Sequence, residues 1–287
     1  MFTVFFPLIQ GVTVMGLLRF LPLSYLSWFV GILANLPLPQ PLARWTIQIF
    51  ASAYGIDPTL ATRPLGEFRS IGEFFTRDLK PEHRPIQGAR VFPVDGTLRN
   101  VSDLSTDGSI QQVKGKHYTL KQLLAEDLLV ERFSSGQLWN MYLSPKDAHH
   151  IYAPVSGTIV KTIHVPGFLW PVNDWALSSV DGLFAVNERI ITFIESDSGL
   201  VAVIMVGATN VGRIALAYTQ FETNREPWRR HQIRSLEHAS GIQVRCGDKI
   251  GTFKMGSSVI LVSEKPLAPE ASEGAFPRAI RYGELLG

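Results

Sequence analysis

Gly251-Thr252-Phe253-Lys254-Met255-Gly256-Ser257-Ser258-Val259-Ile260 sets a Gly-Ser dipeptide at the mouth of an apolar strand. The strand reading covers residues 258–262, and similar short β-rich runs stand upstream at 110–113, 138–143, 158–163, 190–194 and 201–206. Each is broken off by Gly, Pro, Asn or Asp, the punctuation of a β-domain with tight connections. Residues 120–129 and 70–79 read as helices, the second with Ser70 three positions before Glu73 in the manner of a capping box. The tail after Lys265, rich in Pro, Ala and Glu, reads as surface loop. No internal repeat or low-complexity linker divides residues 46–287, which are expected to form one domain.

The Gly-Ser pair has a specific chemistry open to it. A Ser257 hydroxyl that attacks the Gly256 carbonyl converts the amide to an ester. That requires an unhindered, distorted peptide, which glycine reaches more readily than a residue with a Cβ. The ester can then open by β-elimination, and the new N-terminus hydrolyses to a pyruvoyl ketone with loss of ammonia. An isolated Gly-Ser pair is far more often a turn at a strand start, so the dipeptide alone decides nothing.

Composition narrows the class. Of the 287 residues 46% are hydrophobic and 18% charged, which excludes a disordered chain. A formal net charge of +2 gives no footprint for nucleic acid. One cysteine, Cys246, excludes an intrachain disulfide framework and a multi-cysteine zinc site. No acidic residue precedes Asp57, and Arg19 and Arg44 are the only charged side chains before it. Residues 1–18 form one apolar run and 23–36 a second, separated by Arg19 and Pro22. Each is shorter than the roughly 20 residues of a membrane span. Residues 1–45 are therefore read as a helical hairpin in the membrane interface, with Phe5, Phe6, Trp28 and Phe29 inserted. In the second run Ser24, Ser27, Gly31 and Asn35 gather on one narrow stripe.

Several phrases in order resemble the phosphatidylserine decarboxylase family. They are Ile71-Gly72-Glu73-Phe74-Phe75-Thr76-Arg77 with Arg84-Pro85-Ile86, Pro93-Val94-Asp95-Gly96, Tyr142-Leu143-Ser144-Pro145-Lys146-Asp147-Ala148-His149, and Phe253-Lys254-Met255-Gly256-Ser257-Ser258. Leu183-Phe184-Ala185-Val186-Asn187-Glu188-Arg189 and Val206-Gly207-Ala208-Thr209 match intervening phrases. The resemblance implies an α+β protein: N-terminal membrane-associated helices, then a mostly antiparallel β domain. The segments Ala153-Pro154-Val155-Ser156-Gly157 and Cys246-Gly247-Asp248-Lys249-Ile250-Gly251 are similar to lipoyl-type barrel-sandwich hairpins.

By the same resemblance the chain is a proenzyme that splits after Gly256 into a β chain, 1–256, and an α chain, 257–287. Ser257 then becomes the covalent pyruvoyl cofactor, with neither metal nor pyridoxal phosphate. Phosphatidylserine, bound through a Schiff base, loses CO₂ to give phosphatidylethanolamine. Asp95 is the implied carboxylate of the self-processing triad and orients an imidazole. His149 is the implied proton donor to the decarboxylated carbanion, its pKa taken as near neutrality. The implied partners are the phospholipid membrane at its cytoplasmic side, the substrate and the protein's own α chain, with a homodimer left open.

One departure matters. Ala148-His149-His150-Ile151-Tyr152-Ala153-Pro154 carries Tyr152 where the family has a second histidine, the triad base. Tyrosine, with an ordinary pKa of about 10, is a far poorer base than histidine at about 6.5. Either His149 or His150 takes over the base role, or the chain is an unprocessed lipid-binding relative. A pyruvoyl decarboxylase acting on another amine headgroup is the remaining alternative.

Overall fold

A computed structural model describes residues 23–105, 107–113, 115–209, 213–225, 232–254 and 258–286. Helix α1 spans Leu23–Ala34 and α2 spans Gln40–Tyr54, closed by Gly55 in the left-handed region, φ 67°. The short α3, Ile71–Phe75, starts where the Ser70 side chain accepts the Glu73 N–H at 3.1 Å. The 70–79 helix expected from the sequence is thus only five residues long. Strands β1 (Gly96–Asp103), β2 (Ser109–Val113) and β3 (Lys116–Thr119) precede α4, Leu120–Leu124. Thr119 and Gln122 form a reciprocal capping box, and Ala125 turns left-handed at φ 51°, so the helix expected to reach 129 stops at 124.

Next come β4 (Gln137–Tyr142), β5 (His150–Tyr152) and β6 (Gly157–Val165), then α5 (Asp174–Ser179) and α6 (Leu183–Val186). The hairpin of β7 (Arg189–Ser196) and β8 (Gly199–Val206) is followed by β9 (Ile214–Leu216) and β10 (Arg234–Val244). Strands β11 (Lys249–Phe253), β12 (Ser258–Ser263) and β13 (Arg278–Ile280) complete the order. Each of the six expected strand runs lies within or within one residue of an observed strand. The tail is a correction: β13 joins the sheet and Tyr282 is buried, because the edge of β1 supplies its pairing partner.

The class is α+β with antiparallel ladders. An eight-stranded sheet runs β10-β6-β7-β8-β12-β4-β1-β13, and a three-stranded sheet runs β5-β11-β9. Alternate residues of β8 serve two cores: Val201, Val203 and Met205 pack with Ile151, Ile214, Ile250 and Phe253 of the small sheet. Ala202, Ile204 and Val206 pack on the other face with Leu123, Leu124 and Phe184 of the helices. A third core joins Ala43, Ile47 and Ala51 of α2 to Phe68 and Phe74.

α1 is inverted relative to a core helix. Ser27 and Gly31 of the small-polar stripe are buried, and Asn35 packs on Gly72. Tyr25, Leu26, Phe29, Ile32, Leu33 and Leu36 are exposed, and Leu42, Trp45 and Ile49 continue the apolar surface onto α2. Among the described residues no helix is long and apolar enough to cross a membrane. Residues 1–22, with Phe5, Phe6 and Arg19 of the expected hairpin, lie outside the described residues.

Candidate active site

One end of the large sheet collects most of the motif residues. Across it Thr97 faces Tyr142, Tyr142 faces Ser258, Ser258 faces Val206, and Val206 faces Arg189. Segments entering or leaving at that row are Pro93–Gly96, Leu143–His149, Gly207–Thr209 and Asn187–Glu188. Gly96 is required there, since a Cβ would collide with the Tyr142 carbonyl oxygen. The chain reaches this end on β11 of the small sheet and resumes as β12 in the middle of the large one. Met255, Gly256 and Ser257, which join them, lie outside the described residues.

His149 is wholly buried, and its ring lies against that of Phe75, tilted by 36° at a centroid distance of 3.9 Å. Its Nδ1 lies 2.8 Å from the Asp147 carbonyl oxygen. A carbonyl oxygen only accepts, so Nδ1 carries the hydrogen and Nε2 presents a bare lone pair. That Nε2 is buried without a hydrogen-bond partner among the described residues. Burial first, then the Arg77 and His150 charges, push the pKa down to about 3 against the Asp147 hydrogen bond. The near-neutral value expected from the sequence is therefore corrected: desolvation disfavours the imidazolium. The His149 carbonyl accepts the Phe253 N–H at 2.9 Å, so this imidazole stands on a segment paired with the strand leading to Ser257.

The loop bearing His149 is anchored twice. Asp147 Oδ2 accepts from the Ser144 N–H at 2.8 Å and its hydroxyl at 2.7 Å. Arg77 Nη2 donates to the Lys146 carbonyl at 2.7 Å, its guanidinium buried and its pKa lowered to about 10 by desolvation. His150 faces elsewhere, with Nδ1 2.8 Å from Thr252 Oγ1 and Nε2 3.2 Å from Asp78 Oδ1. Burial and then Lys249 bring its pKa down to about 4.

Asp95 is held by Arg84, whose Nε lies 2.9 Å from Oδ1 and whose Nη2 lies 2.7 Å from Oδ2. Oδ1 also accepts the Tyr282 N–H at 2.9 Å. Its partners among the described residues are thus a guanidinium and a backbone amide rather than an imidazole. Tyr152 stacks on Tyr282 at 3.9 Å and 13°. Burial, then Tyr282, raise the Tyr152 pKa above the ordinary tyrosine value. Sequence reasoning missed Arg84, Phe75, Arg77 and Tyr282. The first three stand inside the quoted phrases without a role, and Tyr282 falls in the tail whose composition reads as surface loop.

Asp95→Asn keeps an acceptor for the Tyr282 amide but leaves Arg84 without its counter-charge. The urea midpoint is expected to fall by the equivalent of about 2 kcal/mol. An unmoved midpoint would show that the Arg84–Asp95–Tyr282 contact contributes nothing to stability.

Comparison with known proteins decides the family. The family model for phosphatidylserine decarboxylase matches residues 71–287. The chain belongs to the phosphatidylserine decarboxylase family, a family of carboxy-lyases. A phosphatidylserine decarboxylase proenzyme of Myxococcus xanthus (strain DK1622) is 38% identical over 279 residues, covering 96% of this chain and 98% of the relative. One from Anaeromyxobacter sp. (strain K) is 40% identical over 281 residues, covering 94% and 96%. One from Coxiella burnetii (strain RSA 331 / Henzerling II) is 36% identical over 275 residues, covering 94% and 95%. The match to full-length relatives also takes in α1 and α2, which precede the family model's first matched residue.

Proposed function

We propose that the chain is a proenzyme that cleaves itself between Gly256 and Ser257 and then decarboxylates phosphatidylserine to phosphatidylethanolamine and CO₂. The observation carrying this reading is the bare Nε2 of His149, on a segment hydrogen-bonded to Phe253, four residues before Ser257. In self-cleavage the His149 imidazole takes the Ser257 hydroxyl proton as that oxygen attacks the Gly256 carbonyl. The proton passes to the Ser257 nitrogen as the amide breaks. Asp95, fixed by Arg84 and Tyr282, holds the Pro93–Gly96 turn beside Tyr152, whose N–H donates to the Pro93 carbonyl at 2.9 Å. Asp95 serves this reaction as a positioning carboxylate.

A pyruvoyl group at position 257 would supply the electron sink for CO₂ loss. The residues present fit a ketone there. Ser258 Oγ, next in the chain, is a buried donor and His149 Nε2 a buried acceptor, each without a partner among the described residues. The test is the intact mass of the purified protein under denaturing conditions. Two chains of 256 and 31 residues support the proposal, the shorter with a blocked N-terminus. One unbroken chain without an amine-reactive carbonyl overturns it.

The same reading makes the protein a peripheral membrane enzyme at the cytoplasmic side of the cell membrane. Support comes from α1, which turns small and polar residues inward and large apolar ones outward, the reverse of a helix in water. The membrane-associating unit of 1–45 then extends its apolar surface through Ile49 on α2. The barrel-sandwich-like reading is supported by its two phrases meeting: the Ala153 N–H donates to the Asp248 carbonyl at 2.8 Å, and the Gly247 N–H to the Ala153 carbonyl at 2.9 Å.

A second reading, an unprocessed lipid-binding relative, is favoured by Tyr152 alone, stacked and with its proton held more tightly than usual. Tyr152→His separates the two. It places an imidazole beside Asp95 and is expected to speed the appearance of the 256-residue chain by up to about 100-fold, the low end of what a positioned base gives. A time course on denaturing gels reads this directly. An unchanged rate would mean that position 152 has no part in processing.

A further inference from the structure

Glu222 gathers three cations at the same end of the fold. Its side chain, 12% exposed, lies 3.1 Å from Arg213 Nε, 2.9 Å from Lys254 Nζ and 3.8 Å from Arg225 Nε. The turn carrying it is fixed from both sides. Glu222 bridges to Ala215, the Thr223 N–H donates to the Ile214 carbonyl, and the Ile214 N–H donates to Thr223 Oγ1, both at 3.0 Å. Asn224 donates to the buried carboxylate of Glu188, which also meets His164 Nε2 at 2.9 Å. Glu222 is therefore a placed acid.

One carboxylate cannot neutralise three cations. Arg213 Nε is buried against Glu222, with Oε1 3.1 Å away, while the arginine side chain as a whole is 28% exposed. Glu222 steadies its charge from the buried side, and the exposed end of the guanidinium is suited to a phosphate oxyanion. Lys254 stands three residues before Ser257, and its N–H donates to the Arg213 carbonyl at 3.0 Å, which ties the two cations to one strand end.

We infer that Arg213 and Lys254, held by Glu222 and joined at the rim by Arg225, bind the phosphodiester of the phospholipid headgroup. The inference rests on the function proposed above. The headgroup amine must reach residue 257, and the phosphorus is four single bonds of about 1.5 Å from that nitrogen, hence within about 5 Å of it. Lys254 follows Phe253, whose N–H donates to the His149 carbonyl, so these cations stand on the strand end that meets the imidazole assigned to the reaction. The phosphodiester keeps its charge throughout decarboxylation, so its contacts hold substrate and transition state alike. They therefore act on KM and leave kcat untouched. They also distinguish a phospholipid from free serine, which has no phosphate.

The test uses the processed full chain and phosphatidylserine in mixed detergent micelles, with CO₂ release as readout. Arg213→Gln is expected to raise KM about tenfold at unchanged kcat, the loss of one charge-assisted hydrogen bond. Arg213→Lys should recover part of it, and added salt should raise the parent's KM more than the variant's. Arg225→Gln, at an exposed site that cannot disturb folding, is expected to raise KM about two- to threefold. If Arg213→Gln does not fold, Arg225→Gln decides alone. KM values equal to the parent's, or a fall in kcat at constant KM, overturn the phosphodiester site and leave the proposed function standing. A parent chain with no amine-reactive carbonyl overturns both.

Discussion

Ser257→Ala is expected to leave one chain of 287 residues where the parent yields pieces of 256 and 31. Alanine lacks the hydroxyl that attacks the Gly256 carbonyl and then departs with it in the β-elimination that opens the way to the ketone, so strand scission and amine-reactive carbonyl disappear together. The adjacent hydroxyl does not rescue it. Ser258 is the first residue of β12, 1% exposed and paired on one side with Tyr142 and on the other with Val206. Its own preceding carbonyl belongs to residue 257, so attack there would shift the cut by one residue, which intact mass resolves. Before denaturation the two parent pieces should migrate together. β12 lies between β8 and β4 in the interior of the sheet, and Tyr282 holds Asp95 from the far end of the same piece. Scission at the original bond in the alanine protein would remove Ser257 as nucleophile.

The strands at the centre of the large sheet were legible because they are covered on both faces. Residues 201–206 are buried without exception and read as a continuous apolar run, the pattern such a strand must have. Helix lengths were not legible: Ala125 turns left-handed against its steric preference, and nothing local announces that. β13 escaped because three residues paired with a strand some 180 positions earlier carry no periodic signal. At the site, Asp95 and His149 stood out through their phrases. Arg84 as the partner of Asp95 did not, since the pairing depends on how the Pro81–His83 turn brings the guanidinium back. The character of His149 was misjudged for a different reason. Its near-neutral reading assumed solvent around the ring, and only packing reveals Phe75 against one face and no water-accessible surface.

That burial makes the pH behaviour of His149 distinctive. With a pKa of about 3, the imidazole is a free base throughout the neutral and mildly acidic range, so processing in the parent should run at a nearly constant rate from pH 8 down to about 5. An ordinary histidine base would lose activity with a midpoint near 6.5. His149→Gln removes the lone pair and is expected to slow cleavage by about 10²–10⁴-fold at every pH in that range. Stability responds with the opposite sense of proton uptake. Between about 6.5 and 3 the unfolded chain binds a proton that the folded chain refuses, so the native state weakens as pH falls through that window. The slope contributed is up to about 1.4 kcal/mol per pH unit and should vanish in His149→Gln. His150, depressed to about 4, keeps a slope of the same sign in the variant. Urea melts from pH 7 to 4 on both proteins, beside rates of chain splitting, read the two effects separately. A parent rate that titrates near 6.5, or a glutamine protein that splits at the parent's pace, would take the proton transfer away from this imidazole.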